Sequence, residues 1–503
     1  MKLNQAPDVI LNLFDELLAT TSMNPTTEQV KSFVLEHFSP PGSELINWTP
    51  TDWKANPTFL QSIADPGLRL WARDLHDLWK VLGREMIDDV ATNPTLYSLI
   101  AVEHPVIVPG GRFRELYYWD TYWVIRGLLI SDMASTVRDI LQNLLGFVET
   151  YGFVPNGARN YYSRRSHPPF LIAMVKEYYD TTADKQFIED NLATLEKEYS
   201  FWMSQRNVTV DGHLLNRYAS SVDQPRPESY REDKAFIKEL PQKEGEELMK
   251  HITSACESGW DFSSRWAGPS YDSQNHVIGQ LATRDVVPVD LNSLLSLCER
   301  SMSEFYQLIG NDAKSALFND RYKARVEAIE SVLWNEEKGS YFDYIVSTKQ
   351  HHRKYYASNF NPLWTKCFPS SVNRTDREAR MHTYLLANGI LSYPGGIPTS
   401  LENSGEQWDF PNAWPPLVHM IIEGLATSDF PELQDEAFIQ AEKWIHGNYK
   451  AYVKTGAMFE KYDVTESEGV PGSGGEYDVQ TGFGWTNGVV LSFLDRYGSS
   501  LTT

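Results

Sequence analysis

Two stretches far apart in this chain carry the same unusual mixture of side chains. The first is Pro109-Gly110-Gly111-Arg112-Phe113-Arg114-Glu115-Leu116-Tyr117-Tyr118-Trp119-Asp120-Thr121-Tyr122. The second is Gln407-Trp408-Asp409-Phe410-Pro411-Asn412-Ala413-Trp414-Pro415-Pro416. Each crowds flat aromatic rings, carboxylates and rigid donors into a short run bounded by Pro or Gly. Such a mixture suits a neutral, polyhydroxylated ligand. Rings stack on its C–H faces, while carboxylates, amides and guanidinium groups take its hydroxyls.

Breaking the acetal bond of such a ligand needs two carboxyl groups with different jobs. One protonates the leaving oxygen, and the other acts as base or nucleophile on the opposite side. The acid must keep its proton near neutral pH, which burial beside aromatic rings achieves. Two segments meet these needs. Glu257-Ser258-Gly259-Trp260-Asp261-Phe262-Ser263-Ser264-Arg265-Trp266 sets Asp261 between two rings, and Phe459-Glu460-Lys461-Tyr462-Asp463 sets Glu460 beside Lys461. The chain has 67 acidic residues, so residue chemistry alone does not single out this pair.

Further polar groups of the right kind lie between and beyond them. Gly152-Phe153-Val154-Pro155-Asn156-Gly157 presents Asn156, an amide able to donate to one hydroxyl and accept from another. Arg164-Arg165-Ser166-His167-Pro168-Pro169 and Gln224-Pro225-Arg226-Pro227-Glu228-Ser229-Tyr230 offer Arg165, Arg226 and Glu228, with prolines fixing the backbone on both sides of Arg226. The run Gly472-Ser473-Gly474-Gly475-Glu476-Tyr477 is no phosphate-binding loop, since no Gly-Lys-Ser/Thr follows it. It suits a flexible lid carrying a carboxylate.

Taken together, these segments resemble, in content and in order, the signature regions of the trehalases, over roughly residues 45 to 495. The resemblance implies an all-α (α/α)6 barrel whose short hairpins and loops form a pocket at one end. It implies hydrolysis of α,α-trehalose to two glucose molecules by inversion, without a cofactor or metal. Asp261 would be the acid and Glu460 the base. Substrate contacts would fall to Arg112, Trp119, Asp120, Asn156, Arg165, Ser166, His167, Arg226, Pro227, Glu228, Gly259 and Glu476. The carboxyl groups of an inverting pair stand about 6.5–9.5 Å apart, to admit a water. Asp409 is left to hold the rim together. One residue departs from the family pattern: His167 stands where trehalases usually have Gln. An imidazole offers one donor or one acceptor and titrates near pH 6.5, so binding is expected to vary between about pH 5.5 and 7.5. The alternatives are another inverting α-glycosidase on the same barrel, with a larger pocket, and a non-catalytic sugar-binding relative, which would typically have lost the acid or the base.

The elements that must position these residues read as helices. Val137, Ile140, Leu141, Leu144, Leu145 and Val148 recur at helical spacing and are followed by Gly152. Phe187, Leu192, Leu195 and Tyr199 form a second stripe. Leu291, Leu294, Leu295, Cys298, Met302, Phe305 and Ile309 form a third, closed by Gly310. Tyr322, Val326, Ile329 and Leu333 follow after a short loop, as expected of an antiparallel partner. Strand-like stretches are brief, as at Ser340 to Val346. Residues 1–45 carry no motif and are expected to pack as a helical extension on the barrel, leaving residues 46–503 as a single catalytic domain.

Composition narrows the classes further. A formal charge of −22 excludes a nucleic-acid partner, which needs clustered Lys and Arg. Three cysteines, Cys256, Cys298 and Cys367, are too few and too scattered for a disulfide framework or a zinc site, and His351-His352 lacks carboxylate partners at ligand spacing. Cys298, on an apolar stripe, reads as core. No apolar run is long enough to span a membrane, and Met1 to Leu18 lacks the uninterrupted apolar stretch of a signal peptide, so a soluble chain is expected. Asn47, Asn207 and Asn373 open acceptor sequons.

Overall fold

The periodic stripes become helices in the computed structural model, which describes residues 1–269, 271 and 276–503. The first half contains α1 (Pro7–Thr20), α2 (Thr27–His37), α3 (Pro66–Leu82), α4 (Asp88–Thr92), α5 (Asp120–Ile130), α6 (Ala134–Tyr151), α7 (Leu171–Thr182) and α8 (Lys185–Gln205). The second contains α9 (Tyr230–Ile237), α10 (Gln242–Glu257), α11 (Val289–Leu308), α12 (Asp312–Leu333), α13 (Asn361–Thr365), α14 (Arg374–Ala387), α15 (Pro415–Ala426), α16 (Pro431–Thr455) and α17 (Gly484–Tyr497).

Six of these helices close a ring. α5 packs on α7, α7 on α11, α11 on α13, α13 on α15, α15 on α17, and α17 returns to α5. Sequence explains why these helices are inside. α15 is buried from Pro415 through Leu425, and α5 buries nine residues around its whole circumference. A helix apolar on all sides has to be enclosed. The helices with a single apolar stripe lie outside: α6 against α5 and α7, α8 against α7 and α11, α12 along α11, α16 against α15 and α17, and α3 against α17. The fold is an (α/α)6 barrel. Its seam between α5 and α17 is unusually close. A Cβ on Gly488 would fall 2.0 Å from the Trp123 carbonyl oxygen, so only glycine lets these backbones meet.

The predicted stripes and stops recur in detail. Gly152 caps α6 at φ +82°, and Gly310 follows the C-cap Ile309 of α11 at φ +77°. Cys298 is in the core, and all three cysteines are free and buried. The stretch Ser340 to Val346 divides into two strands. Ser340–Tyr341 pairs with Trp334–Asn335, and Tyr344–Ile345 lies between Val286–Val287 and Gln350–His351. One short pairing matters for the site. Asn412–Ala413 runs antiparallel to Tyr462–Asp463, fastening the second Trp-Asp segment to the strand that follows Glu460.

α1 and α2 sit at the periphery. They meet edge-on through Phe14 and Phe33, with centroids 5.2 Å apart, and Ile10 is their one buried residue. The chain after them reaches the mouth of the barrel, where Glu44 accepts from Arg159 at 3.1 Å. Among the described residues, no helix is long and apolar enough to cross a membrane. The side chains of Asn47, Asn207 and Asn373 are exposed.

Candidate active site

The loops that precede the inner helices converge at one end of the barrel around a cavity of about 650 Å³. Trp119 and Asp120 stand at the entrance to α5, Trp414 just before α15, and Trp485 on the first turn of α17. Their rings make an aromatic floor. Trp408 stacks on Trp414 at 3.8 Å, and Trp119 meets Trp408 at 5.7 Å and Trp485 edge-on at 6.0 Å. Gly259 makes room for this arrangement: it holds φ +78°, and a Cβ there would lie 2.8 Å from the Trp119 ring. A sugar face can stack on such rings while its hydroxyls reach the walls.

Asp261 and Glu460 both line the cavity. Burial pushes the Asp261 carboxyl up to about 7; Arg226 pulls it down, and Glu476 adds to the rise. A carboxyl group so placed keeps its proton near neutrality, as a general acid must. Its backbone is held as well: the Gln407 side-chain amide donates to the Asp261 carbonyl at 2.6 Å. Asp409 braces the same loop. It is fully buried and accepts from Ser263 Oγ at 2.9 Å, the Ser264 N–H at 2.7 Å and Ser400 Oγ at 2.9 Å. The second Trp-Asp segment therefore holds the loop that carries Asp261.

Glu460 is treated differently. Burial raises its pKa too, but Lys461, a hydrogen bond from the Tyr477 hydroxyl and the Gln480 N–H all favour the ionised form. Tyr477 donates to Oε1 at 2.8 Å, and the Gln480 N–H to Oε2 at 3.3 Å. Burial raises both groups to about 7, and the Lys461 ammonium and Tyr477 hydroxyl give Glu460 local support as a carboxylate. Asp120 sits near both, and burial together with their charges pushes it up to about 8.

The rest of the wall is a set of paired ions. Arg165 contacts Glu228 at 2.5 Å and donates through Nε to Asn156 Oδ1 at 2.8 Å. Arg226, only 2% exposed, forks onto Asp233 at 2.6 and 2.9 Å and reaches Glu476 at 3.2 Å. These two guanidinium groups are each paired with an anion and so serve as oriented donors. That suits an uncharged ligand better than a phosphate.

Of the predicted residues, Arg112, Trp119, Asp120, Asn156, Arg165, His167, Arg226, Glu228, Gly259, Asp261, Glu460 and Glu476 all line the cavity. Ser166 and Pro227 do not. Ser166 is fully buried, with its N–H donating to Glu257 at 3.0 Å and its hydroxyl to the Val154 carbonyl at 2.7 Å, so it fixes the chain behind the wall. Pro227 is exposed at the start of a short 3-10 turn and sets the backbone beside Arg226. His167 is buried and, through burial and the charge of Arg165, stays neutral well below its ordinary pKa. Its expected titration between pH 5.5 and 7.5 is therefore corrected. Four polar partners were not singled out from the sequence: Asp233 and Gln480, and Gln407 and Tyr477 inside two of the quoted segments. Asp233 sits in a charged run that reads as a solvated helix face, although it is fully buried under Arg226.

Comparison with known proteins gives a consistent picture. The family model Trehalase matches residues 1–498. The chain is 48% identical to the trehalase of Homo sapiens over 509 residues, spanning all of this chain and 86% of that protein. It is 45% identical to the trehalase of Apis mellifera over 507 residues, spanning all of this chain and 80% of that one. Among solved structures, the neutral trehalase of Saccharomyces cerevisiae superposes with a TM-score of 0.62 at 24% identity, covering 79% of this chain and 75% of that one. A mannosylglycerate hydrolase from Thermus thermophilus superposes with a TM-score of 0.51 at 14% identity, covering 76% of this chain and 94% of that one. These two structures share the fold.

Proposed function

Because this chain belongs to the trehalase family, we propose that its cavity hydrolyses α,α-trehalose to two glucose molecules with inversion at the attacked carbon. The observation that carries this reading is a pair of buried carboxyl groups that line one cavity in different company. Burial raises both to about 7; Asp261 faces Arg226, whereas Glu460 accepts from the Tyr477 hydroxyl and lies beside Lys461, both of which favour its carboxylate form. Asp261 protonates the bridging oxygen. Glu460 takes a proton from a water on the far face of the attacked ring, and the oxygen of that water bonds to the anomeric carbon as the bridging bond breaks. One glucose leaves as the α anomer and the other as β.

The binding shell completes the scheme. The aromatic floor takes the C–H faces, and Arg165, Arg226, Asn156 and Glu228 take hydroxyls. Arg112, above the Tyr477 ring at 4.8 Å, is positioned to cover the sugar. Residues 46–503 act as one catalytic domain, with residues 1–45 as an extension packed on the barrel whose Met1, Pro41, Gly42 and Glu44 reach the cavity mouth. The test is hydrolysis of trehalose followed by proton NMR in the first minutes, before mutarotation. Equal α and β glucose from wild type, with Asp261→Ala and Glu460→Ala each slower by about 10³-fold or more, supports the reading. Release of α-glucose alone, or undiminished activity in either variant, sinks it.

A further inference from the structure

The glycine-rich loop does more than border the cavity. Both carboxylate oxygens of Glu460 are held by residues of that one loop: Oε1 by the Tyr477 hydroxyl at 2.8 Å and Oε2 by the Gln480 N–H at 3.3 Å. Gln480 closes the circle, its carbonyl accepting from the Glu460 N–H at 3.0 Å. The loop is anchored on the ligand side as well. Glu476 reaches Arg226 at 3.2 Å, and the Gln480 side chain accepts from the Arg112 N–H at 2.8 Å. From behind, the buried Lys461 ammonium donates to the Gly474 carbonyl at 3.2 Å and to Gln407 Oε1 at 3.1 Å. Gly474, Gly475 and Gly482 all have positive φ, which leaves the loop hinged at both ends.

From this arrangement we infer that Tyr477 is a positioning residue for the reaction. It aims and ionises Glu460, and it makes the base competent only when the loop lies over the sugar. The inference rests on Glu460 being the base. A carboxylate oxygen has two lone pairs, so Oε1 accepts from Tyr477 and still has one free for the attacking water. The same loop carries Glu476 into the ligand site. A sugar that holds Glu476 and Arg226 in register therefore also holds Tyr477 and Gln480 on the base, and binding energy is spent on alignment. The Tyr477 ring is itself fixed by Arg112 over one face and by Phe113 edge-on at 5.5 Å. Burial and neighbouring carboxylates keep its phenol protonated, so it remains a donor at every working pH. The charged groups around Glu460 are Lys461 and Arg112, which favour its ionised form, and Asp120 and Asp261, which oppose it when charged.

The test is Tyr477→Phe, which removes one oxygen and leaves the ring. A lost hydrogen bond to a charged group predicts a fall in kcat of about tenfold to a hundredfold. KM should move less than about threefold, because the ring packing survives. The acidic limb of kcat/KM should move to higher pH, since the donor stabilised the carboxylate. A 3-fluorotyrosine at 477, a stronger donor of nearly the same shape, should move that limb to lower pH, and it gives a readout should the Phe variant fail to fold. A merely structural role would lower thermal stability or raise KM and leave the limb in place; that result overturns the inference. Glu460→Gln separates the two layers. If it is inactive while the 477 variants leave kcat and the acidic limb unchanged, the role of Tyr477 fails alone. If it keeps its activity, the base assignment fails and the inference fails with it.

Discussion

The two ends of the barrel put similar residues to opposite uses. At the end where the inner helices begin, Asp120, Asp261 and Glu460 crowd the cavity, and burial pushes them up to about 8, 7 and 7. At the other end, where α5, α7, α15 and α17 finish, Arg126, Glu177, Glu423, Asp495 and Arg496 line a cleft of about 430 Å³. There Glu177 meets Arg126 at 2.6 Å and takes the Tyr122 hydroxyl at 2.8 Å, and Arg496 grips Glu423 at 2.6 and 3.1 Å. Cations near helix C-termini also offset the negative ends of the helix dipoles. Size and polarity alone would make both clefts candidates. What separates them is pairing. At the far end Arg126 and Arg496 are each matched to a carboxylate, beside an Asp495 that burial also raises. The site end instead crowds three raised acids together.

The largest effect that would test this contrast comes from one substitution at each end. Asp261→Asn should lower kcat/KM by about 10³-fold or more. It should leave thermal stability unchanged or slightly raised, because it removes an acid whose burial opposes its charged form. Arg126→Leu should do the reverse. Trehalose hydrolysis stays within about twofold of wild type, while stability falls by about 1–2 kcal/mol, discounted because the pair is partly solvated. Equal activity losses from the two variants would erase the distinction between the ends.

A second, smaller effect is a difference in how each end responds to pH. Asp120 and Asp261 bind protons more tightly in the folded chain than in the unfolded one, where their pKa is 3.8. Their contribution to stability is therefore fully present below about pH 4 and is lost as pH rises through 7 to 8. Asp120→Asn should flatten the decline in urea midpoint across that window by the equivalent of about 1–3 kcal/mol. An unchanged slope would mean that Asp120 is already charged in the folded protein.

How much of this was legible in the sequence follows from the range over which each signal acts. The helices were readable because burial repeats along one chain, as in the stripe from Leu291 to Phe305. The wall residues were readable because the motifs hold them in fixed local company. Pairings across space were not. Asp233 looks like one charge in the exposed run Arg231-Glu232-Asp233-Lys234, and only the fold brings Arg226 over it. Tyr477 stood next to a recognised carboxylate, yet its bond to Glu460 depends on the closure of a loop whose shape the glycines leave open. Ser166 erred in the other direction: its neighbours Arg165 and His167 face the cavity, while the serine turns inward to Glu257 and Val154.

His167 gives the smallest effect, and its protonation follows from a chain of donors. Arg165 can only donate, so the Asn156 oxygen must face it, which leaves the Asn156 amino group toward His167. That contact, 2.6 Å from Nδ2 to Nε2, makes Nε2 the acceptor and puts the proton on Nδ1. The Nδ1–H is itself buried and has no hydrogen-bond partner among the described residues. Since burial and Arg165 hold its pKa well below 6.5, it stays neutral across the working range. Trehalose affinity should accordingly be flat between about pH 5.5 and 7.5 as far as this residue is concerned. His167→Gln should change Kd by no more than about threefold and leave the pH dependence where it was, because one neutral polar side chain replaces another. Calorimetric titration of trehalose into Glu460→Gln, with and without His167→Gln, measures this without turnover. A loss of affinity on acidification that disappears in the His167→Gln background would show that the ring titrates in the site after all, and would return His167 to the group of acids and bases that sets this end of the barrel apart.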